Sequence, residues 1–523
     1  LPLLSPRRDS RCEKCRFGPF YLSVKRASIY YHKFFKIARS CAILSDMRVY
    51  KRTTLITIAC ISVLAGLGLA RKVNFDAQAG LLVLVPLLLL FRRKNILTLI
   101  LVTLIGLSLG LWRGGEYMVK LNDLKKLAGQ KVTIEASATS DSVYGQNSQM
   151  EFTANKIQLL DPEAKPLAGN LKITGFGVPM VYRGDRVQIT GKIYPTRGSN
   201  QARISYAQIK RVQADSNWIN SFTRRFAAGM HSALPEPNSS FGLGILIGQR
   251  NTLSDELNNQ LIMVGLVHIV AVSGYNLTII VRAVGRLKTG SKYQRLIVSL
   301  LLIGIFILIT GFAASIVRAA VISALSLWAW YYGRKIRPIL LIAFAAALTG
   351  LVNPFYVWGD LGWYLSFLAF FGVLLIAPLA AQKLFRREPG LLGMVVLETL
   401  AAEIMTLPLI MMSFGQLSLI GLLANTLVVP LIPFAMLFAG IAATAGMLVP
   451  AVAGWFAWPA NILLTYVLDI ARLLSSIPGV FLHRSLTVIG MLAAYAAILV
   501  SILLLQKRNT PKTPALKTRS SVI

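Results

Sequence analysis

Gly265-Leu-Val-His268-Ile-Val-Ala-Val-Ser273-Gly274-Tyr275-Asn276-Leu277 sets four polar side chains inside an otherwise apolar run. With its flanks, the run approaches the roughly 20 residues that a membrane helix needs. Polar groups that lose water without finding a partner cost kilocalories. His268, Ser273, Tyr275 and Asn276 therefore face protein, a water-filled cavity or a substrate, and not lipid. Ser254, ahead of Asp255 and Glu256, reads as the cap of the helix that carries them.

Outward from this stretch the chain stays apolar. Its 523 residues are 55% hydrophobic and 15% charged, with a mean hydropathy of +0.61. That balance excludes a soluble globular chain. Hydrophobic segments at 54–70, 77–91 and 96–112 precede the run. Others follow at 296–312, 313–332, 338–353, 361–381, 391–412, 417–448, 453–477 and 486–505. They predict about ten to twelve crossings, with Pro430 and Pro433 breaking the segment 417–448 into a discontinuous helix. The net charge is +34. Basic clusters at Arg48–Arg52, Arg92–Lys94, Arg334–Arg337, Lys383–Arg387 and 507–519 fit cytoplasmic loops. Attraction of a polyanion is the other reading of the same charge.

Between 114 and 215 the character changes. Lys131–Ala138, Glu151–Ile157, Asn170–Thr174, Asp185–Gly191 and Arg203–Ile209 alternate apolar and polar residues, with turn residues between them. Five short strands in such a span predict a small barrel, for which an OB-fold is the natural candidate. The positive-inside rule puts it outside the cytoplasm. It carries 14 Lys/Arg against 9 Asp/Glu over 116–215, so it is mildly basic. Its aromatics, Phe152, Phe176, Tyr182, Tyr194 and Tyr206, read either as its core or as a nucleic-acid face. The fold class is thus a polytopic α-helical membrane protein with an inserted small all-β, OB-like extramembrane domain. Its parts are a basic extension at 1–46, three membrane helices at 47–113, the β domain at 114–215, a multi-spanning domain at 216–506 and a basic tail at 507–523. Met47 reads as an alternative start. After Trp218, Phe222, Phe226 and Met230 alternate with Arg224, Arg225 and His231, a pattern for a helix on the membrane surface.

Chemistry is sparse. Cys12 and Cys15 form a single C-x-x-C, too few ligands for zinc, so neither metal nor cofactor is expected. In a regular helix Ser273 lies about 140° from His268, which disfavours a nucleophilic pair. There is no G-x-S-x-G elbow and no phosphate-binding P-loop. Arg318, well inside a span, needs an anion, backbone carbonyls or water. A transient phosphate is one partner; Asp360, Glu398 or Glu403 is the other. Trp358 and Trp363 read as an interfacial belt or as base-stacking residues. His268, Ser273, Asn276, Arg318 and Asn425 are the candidates for lining a polar path. Asp469 and Arg472 pair with each other.

Gly244-Ile-Leu-Ile-Gly-Gln-Arg250, Leu253-Ser254 and Gly265-Leu-Val-His268-Ile-Val-Ala-Val-Ser273-Gly274 together resemble a signature of the ComEC family of bacterial competence proteins. Gly311 with Val317-Arg318-Ala-Ala320, Asn353-Pro354, Gly362 with Ser366-Phe367, and Leu423-Ala-Asn425 with Pro430 recur in matching order. Tyr275-Asn276 departs from the Leu-His usual there. The resemblance covers about 47–505. It implies a channel for single-stranded transforming DNA in the bacterial inner membrane, with membrane lipid around it. A cytoplasmic DNA-translocating motor and DNA-delivery competence proteins are the implied partners, and self-association is a further expectation. Many members carry a metallo-β-lactamase-like nuclease domain. No H-x-H-x-D-H run stands in this sequence, so no enzymatic role is carried over and a nuclease is expected on a separate polypeptide. A small-solute or lipid transporter and an intramembrane enzyme are the rival readings.

Overall fold

The computed structural model describes residues 50–72, 96–144, 149–161, 164–167, 169–178, 180–196, 200–215, 217–249, 253–270, 277, 291–310, 314–334, 337–385 and 389–507. The expected extension 1–46, the segment 77–91 and the tail beyond Lys507 lie outside them. Eight helices among the described residues are long and apolar enough to cross a membrane, and only 17% to 44% of each is buried within the protein. Their uncovered faces carry Ile100, Leu301, Leu437 and Ile462, a surface that only lipid makes favourable. The chain is a polytopic membrane protein, mostly helical, with one small β domain.

Helix α1 (Arg52–Leu69) packs along α2 (Ile96–Lys126). A Cβ at Gly66 would meet the Leu107 carbonyl oxygen at 2.2 Å, and one at Gly110 would meet that of Val63 at 2.2 Å. Small residues thus let the two backbones touch. The sequence places the end of this helix at Gly114, but α2 runs twelve residues further, to Lys126. Gly114 faces Ala70, where a Cβ would sit 2.4 Å from the Ala70 side chain. It serves packing and not termination. Glu116 then pairs with Arg113 and Lys120, both at 2.7 Å, which suits a continuing helix.

The barrel follows. Its strands are β1 (Lys131–Ala138), β2 (Val143–Tyr144), β3 (Met150–Asp161), β4 (Lys165–Leu167), β5 (Leu171–Phe176), β6 (Arg186–Pro195) and β7 (Ala202–Gln213). β1 pairs with β3, β3 with β5, β5 with β7, β7 with β6 and β6 with β1. The five long strands close into a ring in which only the β5–β7 pair is parallel, the strand order of an OB barrel. Alternation of buried and outward residues along β1 and β6 is what the period-two pattern dictates. The core is mostly aliphatic. Phe152 lies in it, but Phe176, Tyr194 and Tyr206 point outward, so of the two readings of these aromatics the core holds for Phe152 and not for those three. Leu124, near the tip of α2, is 1% exposed and belongs to that core. The third membrane segment therefore ends inside the barrel.

The membrane domain begins with α3 (Trp218–Ala233), α4 (Asn238–Ile247) and α5 (Asp255–Met263). α3 is amphipathic as predicted, and Gly229, Met230 and Ala233 on its buried face pack on protein. Gly229 meets Gly446 so closely that a Cβ at Gly446 would lie 2.0 Å from the Gly229 carbonyl oxygen. Then come α6 (Lys292–Thr310), α7 (Ala314–Tyr331), α8 (Pro338–Val352), α9 (Leu361–Phe371) and α10 (Leu391–Phe414). α9 continues through a π-helical turn into a helix at Ala377–Leu384. β8 (Gln416–Ser418) pairs with β9 (Phe481–His483). Between them stand α11 (Gly421–Val428), α12 (Ile432–Leu448) and α13 (Ala453–Ser475), and α14 (Val488–Lys507) closes the chain. A three-residue 3-10 turn at Pro430 separates α11 from α12, the break the prolines predict. The buried Asn238 ties α4 to α13 by donating to Asn461 at 2.6 Å and Thr465 at 2.8 Å.

Candidate functional site

The opening stretch does not continue α5. Ser254 caps that helix as expected, its Oγ accepting from the Leu257 amide at 3.3 Å. The helix then ends in a Schellman turn. Leu266 N–H donates to the Leu261 carbonyl at 2.8 Å and Gly265 N–H to that of Ile262 at 3.1 Å, with Gly265 at φ +75°. Leu261 and Leu266 are both fully buried, the apolar contact this motif favours. The regular helix assumed from the sequence, on which the Ser273–His268 angle rests, is thus interrupted before His268. Val267–Val270 forms a separate single turn. His268 is exposed on it, with Nδ1 2.9 Å from the Gly265 carbonyl oxygen. Ser273, Tyr275 and Asn276 lie outside the described residues.

The break at Gly265 rests on the start of α11. A Cβ there would lie 3.3 Å from Gly421 Cα and 3.6 Å from Ser418 Oγ. Behind Gly421 stands Glu403 of α10, whose Oε1 accepts a hydrogen bond from Asn425 Nδ2. Asn425 is 2% exposed. The His268 stretch and Asn425, distant in sequence, are therefore brought to one place with Glu403 and Ser418. Sequence reasoning offered Glu403 as a partner of Arg318 and missed this pairing. The available signal was an acid and an amide on apolar helices on either side of a turn. Among the described residues no cluster of three metal-ligating side chains occurs.

Arg318 sits apart, on α7, 3% exposed. Its Nη2 donates to the Gly362 carbonyl oxygen at 3.0 Å. Nε and Nη1 are buried without a hydrogen-bond partner among the described residues. No ion pair to Asp360, Glu398 or Glu403 forms; Asp360 instead caps α9 by accepting from the Trp363 amide at 3.1 Å. Trp363 is 6% exposed and its indole donates to Thr349 at 3.0 Å, so the ring offers no open face for stacking. The Trp358 indole donates to the Leu67 carbonyl at 2.7 Å, and its ring meets Tyr117 edge-on. Both tryptophans fasten helices together here. Arg472 pairs with Asp469 at 3.3 Å, as the spacing predicts.

The barrel presents the second feature. Thr153, Lys172, Arg203 and Tyr194 are register partners across β3, β5, β7 and β6 and lie on its outer side. Tyr194 is 41% exposed. Lys172 is held by Glu151 at 2.5 Å. At its other end the barrel is keyed to the membrane domain. Asp141 accepts from the Arg183 amide at 2.8 Å and from Gln249 at 2.9 Å. The Tyr182 ring stands under both Arg211 and Arg224, a pair of cation–π contacts.

Comparison with known proteins agrees with this architecture. A family model described as Competence protein matches residues 245–508. ComE operon protein 3 of Bacillus subtilis (strain 168) is 23% identical over 343 residues, which are 63% of this chain and 42% of that protein. The chain thus matches less than half the length of this relative. No solved structure matches.

Proposed function

Since the chain belongs to the competence protein family, we propose that it carries single-stranded DNA across the cytoplasmic membrane during DNA uptake. The observation that carries this reading is the OB-type ring mounted on a membrane helix, with a lysine, an arginine and a tyrosine in one outward row. Cations draw the phosphate backbone and an exposed ring stacks bases without regard to sequence. The barrel receives the strand outside the cytoplasm, the side that the basic loops assign to it. The strand then passes the break at Gly265, with His268 exposed beside it and the polar Glu403–Asn425 contact behind. Arg318 attracts phosphates by the two guanidinium nitrogens that have no hydrogen-bond partner among the described residues, once the helices around it part. Driving force comes from a cytoplasmic motor, and DNA-delivery proteins and a nuclease on another polypeptide complete the route.

Uptake of labelled DNA tests this in cells lacking the chain, complemented with the intact sequence or with Arg318→Ala. The deletion is expected to abolish internalisation and the intact chain to restore it. Normal internalisation in the deletion strain refutes the channel. Full uptake with Arg318→Ala removes the role given to that arginine alone.

A further inference from the structure

The contact between α10 and α11 is one half of an acid–amide pair. Asn425 Nδ2 donates to Glu403 Oε1. Asn425 Oδ1, with no exposed surface, finds no hydrogen-bond partner among the described residues, and neither does the buried Ser418 Oγ, which lies by Gly421. Glu403 makes no ion pair among the described residues. Among the residues with described side chains, the titratable groups on the elements packed against α10 are Glu398 on α10 itself, Tyr364 on α9, Lys383 on the helix that follows it, and Tyr495 on α14. Tyr495 donates to the Met405 carbonyl at 3.1 Å. None of these bonds to Glu403, and His268, three residues beyond Gly265, is exposed. An ionised carboxylate in a membrane span with one neutral donor is poorly compensated, and the neutral acid is the cheaper form. A protonated carboxyl also closes a ring with a primary amide. The amide N–H donates to the acid carbonyl oxygen, and the acid O–H donates to the amide oxygen. The first bond is present, and Asn425 Oδ1 is the acceptor the second requires.

From this geometry we infer that Glu403 and Asn425 form a proton-binding site within the membrane, occupied at neutral pH. A proton that binds inside a span is a means of coupling a transmembrane gradient to helix movement. The site does not depend on what the chain transports, so its test and the uptake test fail separately.

The full chain in liposomes is treated with dicyclohexylcarbodiimide, which adds only to protonated carboxyl groups in apolar surroundings, and the adducts are mapped by mass spectrometry. Glu403 is expected to be labelled at about pH 7, far above the usual Glu pKa of about 4.3. The label is expected to fall as the pH is raised and to be indifferent to sodium, while the water-facing Glu236 and Glu256 stay unlabelled. Glu403→Gln should lose the adduct; should that variant not fold, the intact chain's adduct map decides alone. No adduct at Glu403 at about pH 7 overturns the proposal, and so does protection by sodium over potassium, which marks a metal-cation site. In infrared spectra, Asn425→Leu should shift the protonated carboxyl C=O band to higher frequency. An unmoved band overturns the part given to Asn425.

Discussion

Gly110→Ala is expected to force α1 and α2 apart. The added Cβ would lie 2.2 Å from the Val63 carbonyl oxygen and 2.9 Å from Gly66 Cα. Ordinary contact begins at 3.4 Å, so the helices must separate by about 1.2 Å, an overpacking that costs about 1–3 kcal/mol. Gly66→Ala makes the same demand from the other side, at 2.2 Å from the Leu107 carbonyl oxygen and 3.0 Å from Gly110 Cα. Once one alanine has opened the seam, the second costs less, so the double variant should lose less than the sum of the two. Gly68→Ala, with nothing within 4 Å, is the control and should not lower stability, since an unhindered alanine in a helix is favoured over glycine by about 0.5–1 kcal/mol. Cys60 is buried in α1, and its reaction with a fluorogenic maleimide on heating reports the opening of this seam. Cys12, Cys15 and Cys41 are first replaced by Ser. An unchanged midpoint for Gly110→Ala, or strict additivity in the double variant, would refute the reasoning.

Leu124→Ala empties a buried position in the barrel and should destabilise it by about 2–5 kcal/mol, measured as faster proteolysis within 131–213. Gly265→Ala puts a side chain at φ +75°, a left-handed conformation that costs about 1–2 kcal/mol, and should lower both the unfolding midpoint and DNA uptake. Burial opposes the Glu236 charge, but hydrogen bonds from Ser239 and Ser240 and the nearby His231 outweigh it and hold this carboxyl below its usual range. Its stabilising effect is full above the unfolded value of about 4.3 and is lost as pH falls through the lower folded value. Glu236→Gln should therefore flatten the acid limb of the stability curve; an unaltered limb would exclude the contact. Arg203→Ala should weaken binding of a fluorescent single-stranded oligonucleotide and reduce the salt slope by about 0.7. Tyr194→Ala should weaken it with the slope unchanged.

Much of the fold is legible in the sequence, for identifiable reasons. The barrel strands show period two because each has one buried face. Pro430 sits at the break between α11 and α12, where its missing N–H removes a helical hydrogen bond. Glycine misleads in both directions. Gly114 looks like a stop and is a packing surface, whereas Gly265 looks like part of an apolar run and is a stop. Only the neighbours, Ala70 in one case and Gly421 in the other, separate these uses. The candidate site is less legible. Glu403 and Asn425 meet because β8 and the turn after it fold α11 back on α10, and no local pattern encodes that return. The aromatics of the barrel were ambiguous because alternation gives a strand two faces without saying which ring turns inward.

The helix that ends in the barrel has a mechanical consequence. Its 31 residues span about 46 Å at 1.5 Å each, against a hydrocarbon layer of about 30 Å. About 16 Å of rigid post therefore stands clear of the bilayer core, with its tip, at Leu124, locked in the ring. A domain on a slack linker wanders over the surface, but this one has a set height and bearing. One residue inserted between Glu116 and Leu121 would lift it by about 1.5 Å and swing it by about 100°, tearing Asp141 from Gln249. The barrel is aimed, and a strand held on it would meet the same patch of membrane at every arrival.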